Sequence, residues 1–276
     1  MRVLYLVPAF VATILASAPA VVDEESLDHL AENEVHVFKR DLGSVTARDI
    51  ELAKRDGVSL LEMYRHSVVK RDDGDHVTIW VHNSFEEGET VEELPAGLDS
   101  GAVEVAGDDA SDTKLAKRQK TAIKNEWEGV LRGHECWWDK TIYHDDTGPT
   151  APYTGGLNAV VSWGRNRKGG WWVRSTRDRD LIVAGSNSGA NMRFHARSES
   201  NLASNIAAHI GAQDVGTIVE RARNRYQRNT GGGMRVRANG WAFCALEGTG
   251  CYKTYCAPTF GQQWIQWWIS RYNSNI

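Results

Sequence analysis

All four cysteines of this 276-residue chain and ten of its eleven tryptophans lie after Arg118. The charge divides at the same point. Residues 119–276 hold 20 Lys+Arg and 12 Asp+Glu, a net of +8, while residues 1–118 carry a net of −12. Between Asp72 and Thr113 there are thirteen acidic residues and no Lys or Arg. The modest overall charge of −4 is therefore an average over two unlike objects joined end to end.

The first twenty residues have the layout of a secretory signal peptide. Arg2 gives a positive start, Val3 to Leu15 an apolar core, and Ala18-Pro19-Ala20 the small residues of a cleavage site. No later run approaches the roughly 20 apolar residues of a membrane-spanning helix. The expectation is a secreted, extracellular product with no integral membrane segment and with its cysteines oxidised.

Lys-Arg pairs stand at Lys39-Arg40, Lys54-Arg55, Lys70-Arg71 and Lys117-Arg118, each after an apolar residue, and the dipeptide never recurs after Arg118. A dibasic-specific processing protease of the secretory pathway binds two consecutive cations in an acidic cleft, which suits such pairs on a flexible acidic chain. This divides the chain into a signal peptide (1–20), an acidic propeptide (21–118) and a mature domain (119–276). The propeptide is expected to be largely disordered apart from short helices and an apolar stretch at Val77 to Val81.

A mature domain of that size can support one core. Val215, Ile218, Val219, Ala222 and Tyr226 recur at helical spacing, and Arg221, Arg225 and Arg228 share another face of the same helix. A second helix is expected from Gly156 to Gly164. Strand patterns cover 170–176, 180–184, 192–196, 205–210, 234–238 and 263–269, the last with Ile265, Trp267 and Ile269 on one face and Trp264 and Trp268 on the other. The fold class is α+β, a mostly antiparallel sheet with two helices packed on it. Cys136, Cys244, Cys251 and Cys256 allow three pairings; joining Cys136 to Cys244 would staple the start of the domain to a late strand and leave a local pair.

The second half resembles the fungal necrosis-inducing factor domain family. The similarity rests on Cys136, the Thr147-Gly148-Pro149-Thr150-Ala151-Pro152 stretch, the helix from Gly156 and Gly170-Trp171-Trp172-Val173. It continues through Ile210-Gly211-Ala212-Gln213-Asp214-Val215, the helix to Tyr226, Val236 to Cys244, and Trp267-Trp268-Ile269. The family's second and third cysteines would fall near Gly155 or Gly156 and near Asn191 or Met192, which are not cysteines, so its bonding pattern does not transfer. The resemblance implies a secreted effector or toxin with a small α/β sandwich similar to some fungal killer toxins, which are likewise released at dibasic sites. It supplies no catalytic residues.

Signatures of catalysis are sparse, and no cofactor or metal is implied. Gly185-Ser186-Asn187-Ser188-Gly189 has asparagine where a nucleophile elbow needs serine, and His134-Glu135 runs straight into Cys136. His144-Asp145-Asp146 is the best acid/base candidate, against the plainer reading of a polar loop before Gly148-Pro149. His195 and His209 read as ordinary strand histidines. The Arg-rich surface, with Arg221, Arg225, Arg228, Arg235 and Arg237 as its centre, points to an anionic partner such as cell-wall glycan, membrane headgroup or RNA. Of the paired tryptophans, one of each pair is expected outside the core.

These features favour a non-enzymatic secreted effector or killer-toxin-like protein acting on host or competitor cells. The alternatives are a secreted hydrolase such as a ribonuclease, using His144 with Asp145 or Asp146, and a non-toxic glycan-binding module.

Overall fold

The computed structural model describes residues 27, 30–38, 45–71, 75–88, 135–165, 167–187, 192–202, 206–252 and 255–271. The expected signal peptide and the pairs Lys39-Arg40 and Lys117-Arg118 lie outside the described residues.

In chain order the elements are β1 (Val35–Val37), α1 (Ala47–Asp56), β2 (Met63–Lys70), β3 (His76–His82), β4 (Phe85–Glu87) and β5 (Cys136–Asp145). Then come α2 (Thr154–Gly164), β6 (Gly169–Val173), β7 (Arg179–Gly185), β8 (Met192–Ser198), β9 (Ile206–Gly211) and α3 (Ala212–Tyr226). The short pair β10 (Arg228–Asn229) and β11 (Met234–Arg235) precedes the long hairpin β12 (Ala238–Tyr252) and β13 (Tyr255–Ser270). The result is a mostly antiparallel sheet with helices packed on it. Eleven strands join in the order β1-β2-β3-β7-β8-β13-β12-β9-β6-β4, with β5 also on β12.

For the described residues before Arg118, this order corrects the expectation of a largely disordered propeptide. Residues before Arg118 supply four strands and a third helix, and they enter the sheet at two places. β3 lies between β2 and β7, with Ile79 opposite Ala184 and Val81 opposite Ile182. β4 pairs with β6, Phe85 facing Trp171. Only Asn83 and Ser84 separate β3 from β4, yet these strands sit far apart in the sheet order, so the sheet must curl back on itself.

The inside of the curl holds α2 and α3. α2 is apolar almost all round, with Leu157, Val160, Val161 and Trp163 buried, as befits a helix enclosed by sheet and neighbour. Gly164 lets it approach α3: a Cβ there would lie 2.8 Å from the Ala212 carbonyl oxygen. α3 buries the expected stripe of Val215, Ile218, Val219 and Ala222. Its first turn is held by buried Asp214, whose carboxylate accepts the Gly211 N–H at 3.0 Å and the Glu135 N–H at 2.5 Å.

α1 covers part of the outer face. Thr46 and Asp49 form its capping box, and Gly57 closes it at φ 65°, in the left-handed region that favours glycine. Leu52 and Ala53 rest on Met63, Trp80 and Val183 in a second apolar cluster. β3 is thus buried on both faces, the packing that a continuous Val-Thr-Ile-Trp-Val run suits. Beneath α1, fully buried Asp56 accepts from Trp80 Nε1 at 2.8 Å and from Arg55 Nε at 2.7 Å. A disulfide joins Cys136 to Cys244, opposite each other in β5 and β12, across a sequence separation of 108. On a chain-entropy account such a closure contributes roughly 4–5 kcal/mol. The β12–β13 register places Cys251 opposite Cys256.

Candidate functional site

α1 leaves the outer face over β8, β13, β12 and β5 uncovered by any described helix. Strand alternation decides what this face carries. On β13, Ile265, Trp267 and Ile269 turn inward and are fully buried, so Trp264, Gln266 and Trp268 turn outward. On β12, Trp241 and Phe243 alternate with buried Ala242 and Cys244. β5 adds Trp137, Ile142 and His144, of which Trp137 is 40% exposed.

These rings stand on one face as a lattice of three separate contact groups. Phe243 lies 4.8 Å from Trp264 and 6.0 Å from Trp137, and His144 lies 5.4 Å from Trp241 in an edge-on contact. Cations border it: Lys140 Nζ is 4.9 Å above Phe243, and the Arg197 guanidinium 5.0 Å above Trp268. Of the expected Trp pairs, 171–172 and 267–268 each bury their odd-numbered member completely and leave the other half-buried.

At the end of this lattice, past Trp268, lies an open polar cavity of about 390 Å³. Glu62, just before β2, and His82, at the end of β3, line it from the N-terminal segment; Asp178 precedes β7, Arg179 and Asp180 begin it, and Arg193 and His195 come from β8. His195 belongs to both features, its ring 5.2 Å from Trp268. Asp180 stands directly opposite His195, and the β7–β8 ladder shifts register between Asp180 and Ile182. Arg193 Nη1 sits 3.0 Å from Asp180 Oδ2.

Burial governs the proton chemistry here. It pushes Asp180 up to about 6, outweighing the attraction of Arg193. It drives His195 down to about 4, with Arg193 and Arg237 adding to the effect and Asp178 opposing it. His82 is also lowered, by burial and then by Arg179. Between about pH 4 and about 6, Asp180 is protonated and His195 neutral, the states of a general acid beside a general base.

The linkage to stability is specific. From its ordinary 3.8 to about 6, Asp180 holds a proton in the folded chain that the unfolded chain releases, so stability falls as pH rises. From about 4 to its ordinary 6.5, His195 lacks a proton that the unfolded chain binds, so stability rises with pH. The two slopes oppose each other. Relative to the unmodified protein, Asp180→Asn should make stability rise more steeply between pH 4 and 6, and His195→Gln should make it fall. Thermal unfolding followed against pH checks this; unchanged slopes in both variants would contradict it.

The expected arginine centre is not one patch. Arg235 is buried, donating to the Ala151 carbonyl at 2.7 Å and the Tyr153 hydroxyl at 2.5 Å, with its guanidinium 3.7 Å from the Tyr153 ring centroid. Arg228 pairs with Asp145 at 2.6 Å, and Arg225 lies 4.5 Å over the Tyr143 ring. Arg221 also meets Tyr143, donating a hydrogen bond to its hydroxyl. Arg237 is exposed, and its backbone carbonyl accepts from the Asp146 N–H at 2.9 Å. Thus β5 absorbs most of the helical Arg face into the framework.

The His144-Asp145-Asp146 triplet does not converge. His144 turns outward to Trp241, Asp145 accepts the Thr147 N–H at 2.8 Å, and Asp146 accepts from Asn239 at 2.5 Å. Hydrogen bonding with Thr147 and Arg228, followed by the attraction of Arg228, outweighs burial and holds the Asp145 carboxyl below its ordinary range. His209 stacks on Trp172 at 4.5 Å and lies 3.5 Å from buried Glu135. The sequence reads His195 as an ordinary strand histidine and does not single out Asp180, because the two become neighbours only through strand register; the alternating Met192-Arg193-Phe194-His195 pattern is the available signal.

No family model, curated protein or solved structure matches the chain. Among the described residues, no group of three or more His, Cys, Asp or Glu is placed to hold a metal ion, and no helix is long and apolar enough to cross a membrane.

Proposed function

We propose that this chain is the precursor of a secreted effector- or killer-toxin-like protein, released at Lys-Arg pairs, that acts on host or competitor cells by engaging an anionic cell-surface glycan. The aromatic and cationic lattice on the outer face carries this reading. Flat rings offer stacking surfaces for the C–H faces of sugars, the amide N–H groups of Gln266 and the ring of His144 offer hydrogen bonds between them, and Lys140, with Arg197 held by the Gln266 side-chain carbonyl, complements acidic substituents. The resemblance to secreted fungal effectors supports the same reading. The test is to apply the purified secreted product to a broad panel of cells and to measure its retention on their wall glycans. Replacing Trp137 and Trp268 together with alanine should weaken retention at least about tenfold, each stacking contact being worth roughly 1–3 kcal/mol. An inert, unretained product would overturn the reading.

A second reading, a secreted hydrolase, is favoured by one observation: His195 joins the lattice to a cavity that holds an acid/base pair and two arginines. A chain bound along the rings would lead into it. On this reading, activity peaks between about pH 4 and about 6, and either Asp180→Asn or His195→Gln abolishes it.

A further inference from the structure

We infer that the segment carrying residues 45–88 is not discarded on processing but remains in the secreted product as a second, noncovalently held chain that completes the polar cavity. This rests on the dibasic-processing reading above and adds the fate of the N-terminal piece.

Three observations carry it. First, the inner Lys-Arg pairs are built into the fold. Arg55, in the last turn of α1, donates to Asp56, to Asn187 at 2.8 Å and to the Gly185 carbonyl at 3.3 Å. Lys70 ends β2 opposite His76, and the Arg71 N–H donates to the Asp75 carbonyl at 2.8 Å. A processing protease takes its substrate as an extended strand with free backbone groups, so the pair in α1 must unwind and the pair ending β2 must leave its ladder before either is cut. On this inference both pairs serve the fold rather than processing, and the pair at the composition boundary, Lys117-Arg118, is the one cut.

Second, the segment holds the rest of the chain at separate places. β3 hydrogen-bonds to β7 on one side of the curl, β4 to β6 on the other. Trp163 Nε1 of α2 donates to buried His66 at 3.3 Å, and Phe85 lies 4.8 Å from Trp171. Val77, Ile79, Trp80, Val81 and Phe85 are all at most 1% exposed. Third, Glu62 and His82 form one wall of the cavity whose other walls come from β7 and β8. Without the segment that site is incomplete.

All four cysteines lie after Arg118, and the Cys136–Cys244 bond stays within that part. The pieces would therefore separate under denaturing conditions without reductant. The test is to cut the purified full chain with a Lys-Arg-specific processing endoprotease and compare native size-exclusion with a non-reducing denaturing gel and intact masses. The expected result is an unchanged single native peak that resolves into two chains on the gel. One should begin at Gln119, and the other should be uncut after Arg55 and Arg71. A native peak containing residues 119–276 alone, or cleavage after Arg55 or Arg71, would overturn the inference. A chain that the protease leaves whole would overturn the processing reading, and the inference with it.

Discussion

A chain beginning at Gln119 should not fold alone, and residues 45–88 added during refolding should restore the native state. Without them, Ile182 and Ala184 lose the strand that covers them, and Trp163 and Trp171 lose His66 and Phe85. Burying each of Val77, Ile79, Trp80, Val81 and Phe85 contributes about 1.5–3 kcal/mol, so together they supply about 10 kcal/mol. That is comparable to the whole stability of an ordinary domain, roughly 5–15 kcal/mol. Near-UV circular dichroism and size-exclusion would read the result. A cooperative, monomeric 119–276 with native tryptophan ellipticity would contradict it.

Trp80→Ala should be the most damaging single substitution in the N-terminal segment, at about 3–5 kcal/mol. The ring is fully buried between α1 and the sheet, beside Leu52, Met63 and Val183. Its indole N–H is also one of the donors that satisfy the buried Asp56 carboxylate. Trp80→Phe separates these contributions: it keeps most of the packing and removes the donor, and should cost about 1–3 kcal/mol. Urea unfolding midpoints at constant slope give both values. A wild-type midpoint for Trp80→Ala would mean that α1 does not rest on the sheet as described.

The second half was legible where its signal was local. The α3 stripe, the α2 helix and the inward Ile265-Trp267-Ile269 face follow from periodicity within one element. The N-terminal strands were hidden by averaging. Acidic residues and Lys-Arg pairs dominate the composition of 21–118, yet Val77 to Val81 is the kind of run that a strand buried on both faces requires. The site was hidden by topology. Spacing puts Arg221, Arg225 and Arg228 on one helix face, but the helix ends at Tyr226 and Arg228 falls in β10, and spacing could not show β5 bringing Tyr143 and Asp145 beside them. Likewise Asp180 and His195 meet through a ladder that neither strand encodes alone.

Hydrogen exchange of the intact chain, followed by mass spectrometry, tests most directly whether the N-terminal segment belongs to the sheet. The amides of Ile79, Trp80 and Val81 in β3 should exchange as slowly as those of Ile182 and Ala184 in β7, since both strands open only with the whole fold. Complete exchange of residues 76–82 within seconds, while β7 and β8 stay protected, would show that the segment is an appendage and contradict the shared sheet.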